Sequence, residues 1–124
     1  MAITITQLST QFIDIMMSDT DVDDTVRVDI TQQPSTVHYV ELVNGIGSTA
    51  IWLKLFDTTE VALGTTQPVF IMKVAASATE RLVIPDGMAF ASGISYCATN
   101  TSGDQAGSSM GALSGNITLK LITS

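Results

Sequence analysis

The sequence is poor in the residues that carry most protein chemistry. Its 124 residues include one cysteine, one histidine and only five lysines and arginines together. A single cysteine excludes a disulfide within the chain, and one cysteine with one histidine is too small a ligand set for a transition-metal site. Twelve acids against five bases give a net charge of −7. This balance disfavours binding to nucleic acid and to anionic membranes, because both require lysine and arginine.

Charged residues of both signs are also scarce. They make up 14% of the chain, whereas an ordinary soluble domain has about 25%. A chain with so few charged residues cannot cover its whole surface with polar groups, so part of its exposed surface is apolar. The composition therefore favours a protein that associates with copies of itself or with another protein. The length suits a single domain, residues 1–124. The sequence has no secretory signal pattern and no apolar run long enough to span a membrane, so we expect synthesis in a cytoplasm without insertion.

The residues that are abundant favour strands. Threonine, valine and isoleucine recur in short runs that are separated by glycine, proline, asparagine, aspartate and serine. This pattern predicts an all-β, antiparallel β-sandwich, jelly-roll-like, with eight or nine short strands. Residues 9–17 fit both helical and strand spacing, and their structure is left open. The predicted strands lie near Ile3–Leu8, Thr25–Ile30, Val37–Val43, Ala50–Phe56, Val69–Val74, Glu80–Ile84, Met88–Ala91, Ile94–Thr99 and Asn116–Ile122.

Two segments are expected to differ from the rest of the domain. Residues 1–24 form an N-terminal arm with an acidic loop, and residues 100–115 form a flexible loop rich in serine and glycine. The acidic loop, residues 19–24, alternates carboxylates as the start of a calcium loop does. An EF-hand would require glycine and glutamate where Asp24 and Ile30 stand. We therefore predict a solvated acidic loop and no metal or cofactor, with a calcium site of another kind as the alternative.

The strand near residues 50–56 has the clearest pattern. Its isoleucine and leucines face one way, and Trp52, Lys54 and Phe56 face the other. Since both faces are largely apolar, the strand is either central or covered by another subunit. Trp52 and Phe56 are therefore candidate interface residues, with burial in the core of the chain as the alternative. The N-terminal arm and the 100–115 loop are further candidate contacts.

Candidate catalytic residues are few. His38 lies in a predicted strand, and the sequence has no Gly-x-Ser-x-Gly elbow for a nucleophilic serine. A dyad of Cys97 and His38 requires that the fold bring them together. In a strand, Cys97 is more simply a small buried apolar residue, and His38 a residue of a sheet face or a subunit contact. We predict no catalytic residue and no enzyme activity.

Five blocks follow one another between residues 37 and 100. They are Val40-Glu41-Leu42-Val43-Asn44, Ala50-Ile51-Trp52-Leu53-Lys54-Leu55-Phe56-Asp57, Gly64-Thr65-Thr66-Gln67-Pro68-Val69, Val83-Ile84-Pro85-Asp86-Gly87 and Phe90-Ala91-Ser92-Gly93-Ile94-Ser95-Tyr96. Together these blocks resemble small structural proteins from the morphogenesis regions of tailed bacteriophages. The resemblance implies a β-sandwich component of the virion, often a head decoration (cement) protein and sometimes a tail part, and it carries over no functional residue.

The resemblance and the composition together predict a virion structural protein. As a capsid decoration protein it would stabilise the head by binding across junctions between subunits of the major capsid protein, and it would form a homo-oligomer. One alternative is a tail or baseplate component. Another is a carbohydrate-binding β-sandwich module, although aromatic residues are only 6% of the chain. A hydrolase that uses His38 is the weakest of the four hypotheses.

Overall fold

A computed structural model describes residues 3–7, 15–62, 65–100 and 116–124. Within these ranges the protein is an all-β, antiparallel β-sandwich without a helix, which confirms the predicted fold class. The eight strands are β1 (Ile3–Gln7), β2 (Ile15–Asp19), β3 (Ser35–Asn44), β4 (Ile51–Asp57), β5 (Phe70–Val74), β6 (Thr79–Phe90), β7 (Ile94–Thr99) and β8 (Ile117–Thr123).

The strands form two sheets with a common core between them. The larger sheet has the order β1-β2-β8-β3-β6, and the smaller sheet has the order β5-β4-β7. Alternate residues of β8 (Ile117, Leu119 and Leu121) are fully buried, as the two-residue period of a half-buried strand requires. They pack in one cluster with residues of the smaller sheet such as Leu53 and Tyr96. Both sheets thus turn an apolar face inward.

The pairing of the strands is nested. β4 pairs with β5, β3 with β6, and β2 with β8. Between the pairing of β3 with β6 and that of β2 with β8, residues 23–30 lie along β7 and hydrogen-bond to its backbone. We call these residues the bridging segment. Arg27 and Tyr96 exchange two backbone hydrogen bonds of 2.8 and 2.9 Å, and the Ile30 N–H donates to the Ile94 carbonyl. The chain is therefore a long hairpin that is folded over into two sheets, which is the jelly-roll arrangement.

The N-terminal half departs from the predicted strands at two places. Of the segment left open between helix and strand, residues 15–17 belong to β2, which pairs with β8 from Ile15 to Asp19, and residues 9–14 lie outside the described residues. The strand predicted at Thr25–Ile30 is instead the bridging segment, which forms one isolated bridge at Arg27. Asp29 adopts a left-handed φ of 48°, which interrupts an extended strand. β1 and β2, from the predicted N-terminal arm, both belong to the larger sheet, while residues 101–115 lie outside the described residues.

A bulge joins two segments that were predicted as separate strands. In the pairing of β3 with β6, Tyr39 is opposite Val83 and Val37 is opposite Met88, so residues 84–87 lie opposite His38 alone. Gly87 has a φ of +79°, and a Cβ atom there would collide with the side chain of Thr36. The predicted Pro-Asp-Gly turn is therefore a bulge within one long edge strand.

Candidate interaction surfaces

Part of the outer face of the smaller sheet, around Phe56 and Cys97, is covered by the chain itself. Phe56 on β4 and Cys97 on β7 are fully buried, and Val26 and Val61 pack against them. Lys54, the Cα partner of Cys97, is fully buried on the same face. Because β4 lies between β5 and β7 and its outer face has this cover, its two apolar faces are explained without another subunit.

The two predicted interface residues lie in different environments. Phe56 has no accessible surface, so in this conformation it has none to offer a partner. Trp52 is half-buried, and the Lys73 ammonium lies 5.4 Å from the centroid of its ring. Of the pair, only Trp52 presents surface to solvent. Its contact with a partner stays a prediction.

Burial also determines the chemistry available to Cys97 and His38. Burial raises the pKa of the Cys97 thiol to about 11, which leaves it protonated and unreactive near neutral pH. His38 lies on β3 of the other sheet, where its Nε2 is 2.7 Å from the hydroxyl of Ser124. The fold therefore does not bring these two side chains together as a dyad.

The acidic loop is partly structural. Asp19 is fully buried, which differs from the solvated loop expected from the sequence. Its carboxylate accepts the Tyr96 hydroxyl and the N–H of Asp21, while Asp23 accepts the N–H of Thr25. No three or more acidic, histidine or cysteine side chains form a metal-binding group among the described residues. The arrangement therefore gives the calcium alternative no support.

One edge of the sandwich, which we call the open edge, concentrates exposed apolar side chains. β5 and β6 are the terminal strands of their sheets, and residues 75–78 join them. β5 also contacts β3, the strand that pairs with β6. Of the six exposed large hydrophobic side chains among the described residues, four lie on or next to these strands. They are Val69 (56% exposed), Ile71 (39%), Leu82 (36%) and Val83 (66%).

The outer face of the larger sheet carries two rows of side chains that cross β2, β8, β3 and β6. We call these rows the sheet face. Directly paired residues of antiparallel strands project to the same side, so the strand register defines each row. The apolar row is Met16, Ile122, Tyr39 and Val83, and the polar row beside it is Ser18, Lys120, Glu41 and Arg81.

Glu41 is the only acid in the polar row and is held by its neighbours. It accepts a hydrogen bond of 2.6 Å from the Tyr39 hydroxyl and one of 3.1 Å from Arg81 Nε. These bonds, with the positive charges of Arg81 and Lys120, hold the pKa of Glu41 below its ordinary value. The sheet face thus presents a fixed negative charge between two positive charges.

A pocket of about 360 Å³ lies on the bridging segment and β1, lined by residues 26–30, Ile3 and Gln32. Among the described residues, Arg27 Nε and Asp29 Oδ1 have no hydrogen-bond partner, yet both atoms are closed off from solvent, so a ligand in the pocket would not reach them. No described residue of the lining is aromatic. The pocket therefore lacks the stacking surface that a carbohydrate-binding module usually displays.

Comparison with known protein families, with curated proteins and with solved structures found no match for this chain. In the described part of the chain, no helix has the length and apolar character needed to cross a membrane.

Proposed function

We propose that this protein is a non-enzymatic structural component of a virion, a decoration protein that binds across junctions between subunits of the major capsid protein. The observation that carries the proposal is the open edge, where four large apolar side chains are exposed on or beside β5 and β6, the terminal strands of the two sheets. A concentration of exposed apolar side chains at one edge of a sandwich is typical of contact with another protein. The low charge of the chain and its resemblance to phage structural proteins support the same conclusion.

The open edge favours contact through side chains over strand addition. Pro85 has no N–H to donate, and the bulge at residues 84–87 interrupts the regular edge of β6. Such features protect natural sheet edges from pairing with other chains. Burial of the apolar side chains contributes about 25 cal/mol per Å². A protein that binds the intact shell but not a ruptured one stabilises the intact shell by mass action. Because the same contact is repeated at many sites on the shell, weak individual contacts add up to a large total stabilisation.

The experiment compares two double variants that are matched in chemistry and exposure. Val69→Ser with Ile71→Ser alters the open edge, and Ile5→Ser with Val28→Ser alters exposed apolar residues elsewhere. We expect the first to bind expanded heads that lack this protein at least about tenfold more weakly, since about 1.4 kcal/mol corresponds to a factor of ten. The second should bind as the wild type does. Co-sedimentation with heads measures both, and equal binding by the two variants would contradict the proposed surface.

A tail or baseplate component is the second candidate, supported by the same resemblance. Quantitative mass spectrometry of purified particles separates the two. Hundreds of copies per particle indicate the head, and a few dozen or fewer indicate the tail. Absence of the chain from particles would refute both.

A further inference from the structure

The sheet face has a symmetry that is apparent only from the strand register. β3 and β8 are adjacent and antiparallel, with Tyr39 opposite Ile122 and Glu41 opposite Lys120. Each pair projects outward side by side. An apolar pair and an oppositely charged pair therefore lie next to each other, on either side of the line between the two strands.

A twofold axis that runs parallel to the strands, above the line between β3 and β8, places β3 of one copy over β8 of another. Glu41 then faces Lys120 of the second copy, and Tyr39 faces Ile122 of the second copy, each contact occurring twice. The flanking strands follow, because β2 and β6 are also exchanged by this axis. That exchange stacks Val83 on Met16 and Arg81 on Ser18.

Other twofold arrangements of the same face fit less well. An axis along the polar row would place Lys120 on Lys120 and Arg81 on Arg81, and opposed like charges are destabilising. An axis between β3 and β6 would pair Glu41 with Arg81 but leave much of the sheet uncovered, since β6 is the edge strand. Only the first arrangement matches both rows over four strands.

We infer that this protein forms a homodimer through the sheet face, with a second copy of the chain as the occupant. Self-complementary patches of this kind are characteristic of twofold dimers. The inference goes beyond the proposed function, because the dimer requires no shell. The sheet face shares Val83 with the open edge, but Ile71 lies on the smaller sheet with Val69 next to its strand, so the head-binding variants do not alter the sheet face.

The size of the face sets the expected strength. Four strands about 4.8 Å apart, with seven residues in β8 at about 3.4 Å each, give roughly 450 Å² per copy before side-chain relief. A stable interface of standard size buries about 800 Å² per partner. We therefore expect a dimer that dissociates on dilution, with a Kd in the micromolar range or above.

The test uses charge reversal in two separate chains. Glu41→Lys places only positive charges on the two facing positions of its own dimer, and Lys120→Glu places only negative charges there. Each variant alone should be monomeric at concentrations where the wild type dimerises, with Kd raised at least tenfold. A one-to-one mixture should dimerise again, because each contact then joins lysine to glutamate. Sedimentation equilibrium of the full chain measures all three.

Recovery in the mixture is a result that a purely structural role of Glu41 or Lys120 would not produce. General charge attraction would not produce it either, because both variants remain acidic from a starting charge of −7. Glu60→Lys, an exposed reversal outside the sheet face, should dimerise as the wild type does. A wild type that stays monomeric at millimolar concentration, or a mixture that sediments as monomers, would overturn the inference.

A cross-linking experiment covers the case in which Glu41→Lys does not fold. Val83→Cys and Met16→Cys chains, when mixed, should be joined by a bismaleimide that spans about 10 Å, the spacing of stacked sheets. Cys97 is buried and does not compete. Absence of the linked product, at concentrations where the wild type is dimeric, would overturn the inference as well. Neither negative result bears on head binding by the open edge, which the co-sedimentation assay tests separately.

Discussion

The outer faces of the two sheets differ in how they are covered. On the smaller sheet, Phe56 and Cys97 are fully buried beneath Val26 and Val61 of the same chain. On the larger sheet, Val83 remains 66% exposed and the Arg81 side chain 62% exposed. Apolar residues on both faces of a strand therefore do not by themselves indicate a partner subunit. In this protein, two segments of the chain provide the cover for one face, and the other face is the one that we propose for self-association.

The largest expected effect comes from removing an apolar side chain under this cover. Phe56→Ala should lower the free energy of unfolding by about 3–5 kcal/mol, because it leaves a cavity in a closely packed site. Val83→Ala, on the sheet face, should change the free energy of unfolding by less than about 0.5 kcal/mol in the monomer. Urea denaturation at low protein concentration measures both. Similar costs at the two positions would show that the faces are not covered differently.

Removing one hydroxyl from each of two tyrosines sharpens the comparison. Tyr96→Phe withdraws a donor from the fully buried Asp19 carboxylate and should cost about 1–3 kcal/mol, because a buried acceptor is left less satisfied. Tyr39→Phe withdraws the equivalent donor from Glu41, but Arg81 and solvent still donate hydrogen bonds to this carboxylate. The loss of stability should therefore stay below about 1 kcal/mol. Thermal and urea unfolding of the two variants decide between them, and the reverse order of costs would contradict the burial of Asp19.

The covered thiol gives a pH dependence whose direction follows from its environment. Burial raises the pKa of Cys97 from 9.0 to about 11, so the folded state retains a proton that the unfolded state releases. The resulting stabilisation is complete below pH 9 and is lost as the pH rises through 11. The stability of Cys97→Ala should therefore fall less steeply between pH 9 and 11 than that of the wild type. Identical slopes would mean that Cys97 is solvated.

A small effect is expected at Trp52, the half-buried residue on the outer face of the smaller sheet. Lys73→Gln removes the cation beside the half-buried Trp52 ring and should cost about 0.5–1 kcal/mol. Because Trp52 is the only tryptophan, its fluorescence during urea unfolding measures the stability cost, and its emission in the folded state reports the loss of the cation. Lys120→Gln, on the sheet face, is the control and should leave the emission of Trp52 unchanged in the monomer.

Most of the fold could be predicted because its signals are local. β7 begins after Gly93 and ends before Asn100, so both of its bounds are marked in the sequence. β8 shows a clean two-residue alternation, which fixes its inward face. β2 could not be assigned, since the apolar residues between positions 9 and 17 fit both helical and strand spacing. The Pro-Asp-Gly signature of a turn occurs equally well in a bulge, and only the partner strand distinguishes the two.

The surfaces were less predictable because they depend on distant pairings. Whether Phe56 is covered is decided by the path of the bridging segment, which lies about thirty residues earlier and forms a single bridge. The rows of the sheet face combine β2, β3, β6 and β8, and a shift of one residue in any pairing would move its side chains to the other face. No local pattern fixes that register, so the rows become visible only in the folded chain.

The central position of β8 has a consequence for synthesis. β8 lies between β2 and β3, and it contributes Lys120 and Ile122 to the middle of the sheet face. A chain that ends before residue 117 therefore lacks both the strand that joins β2 to β3 and the middle of the surface proposed for dimerisation. In the proposed dimer, prematurely terminated chains would not pair with a second copy, so the topology would restrict pairing to chains that carry this strand.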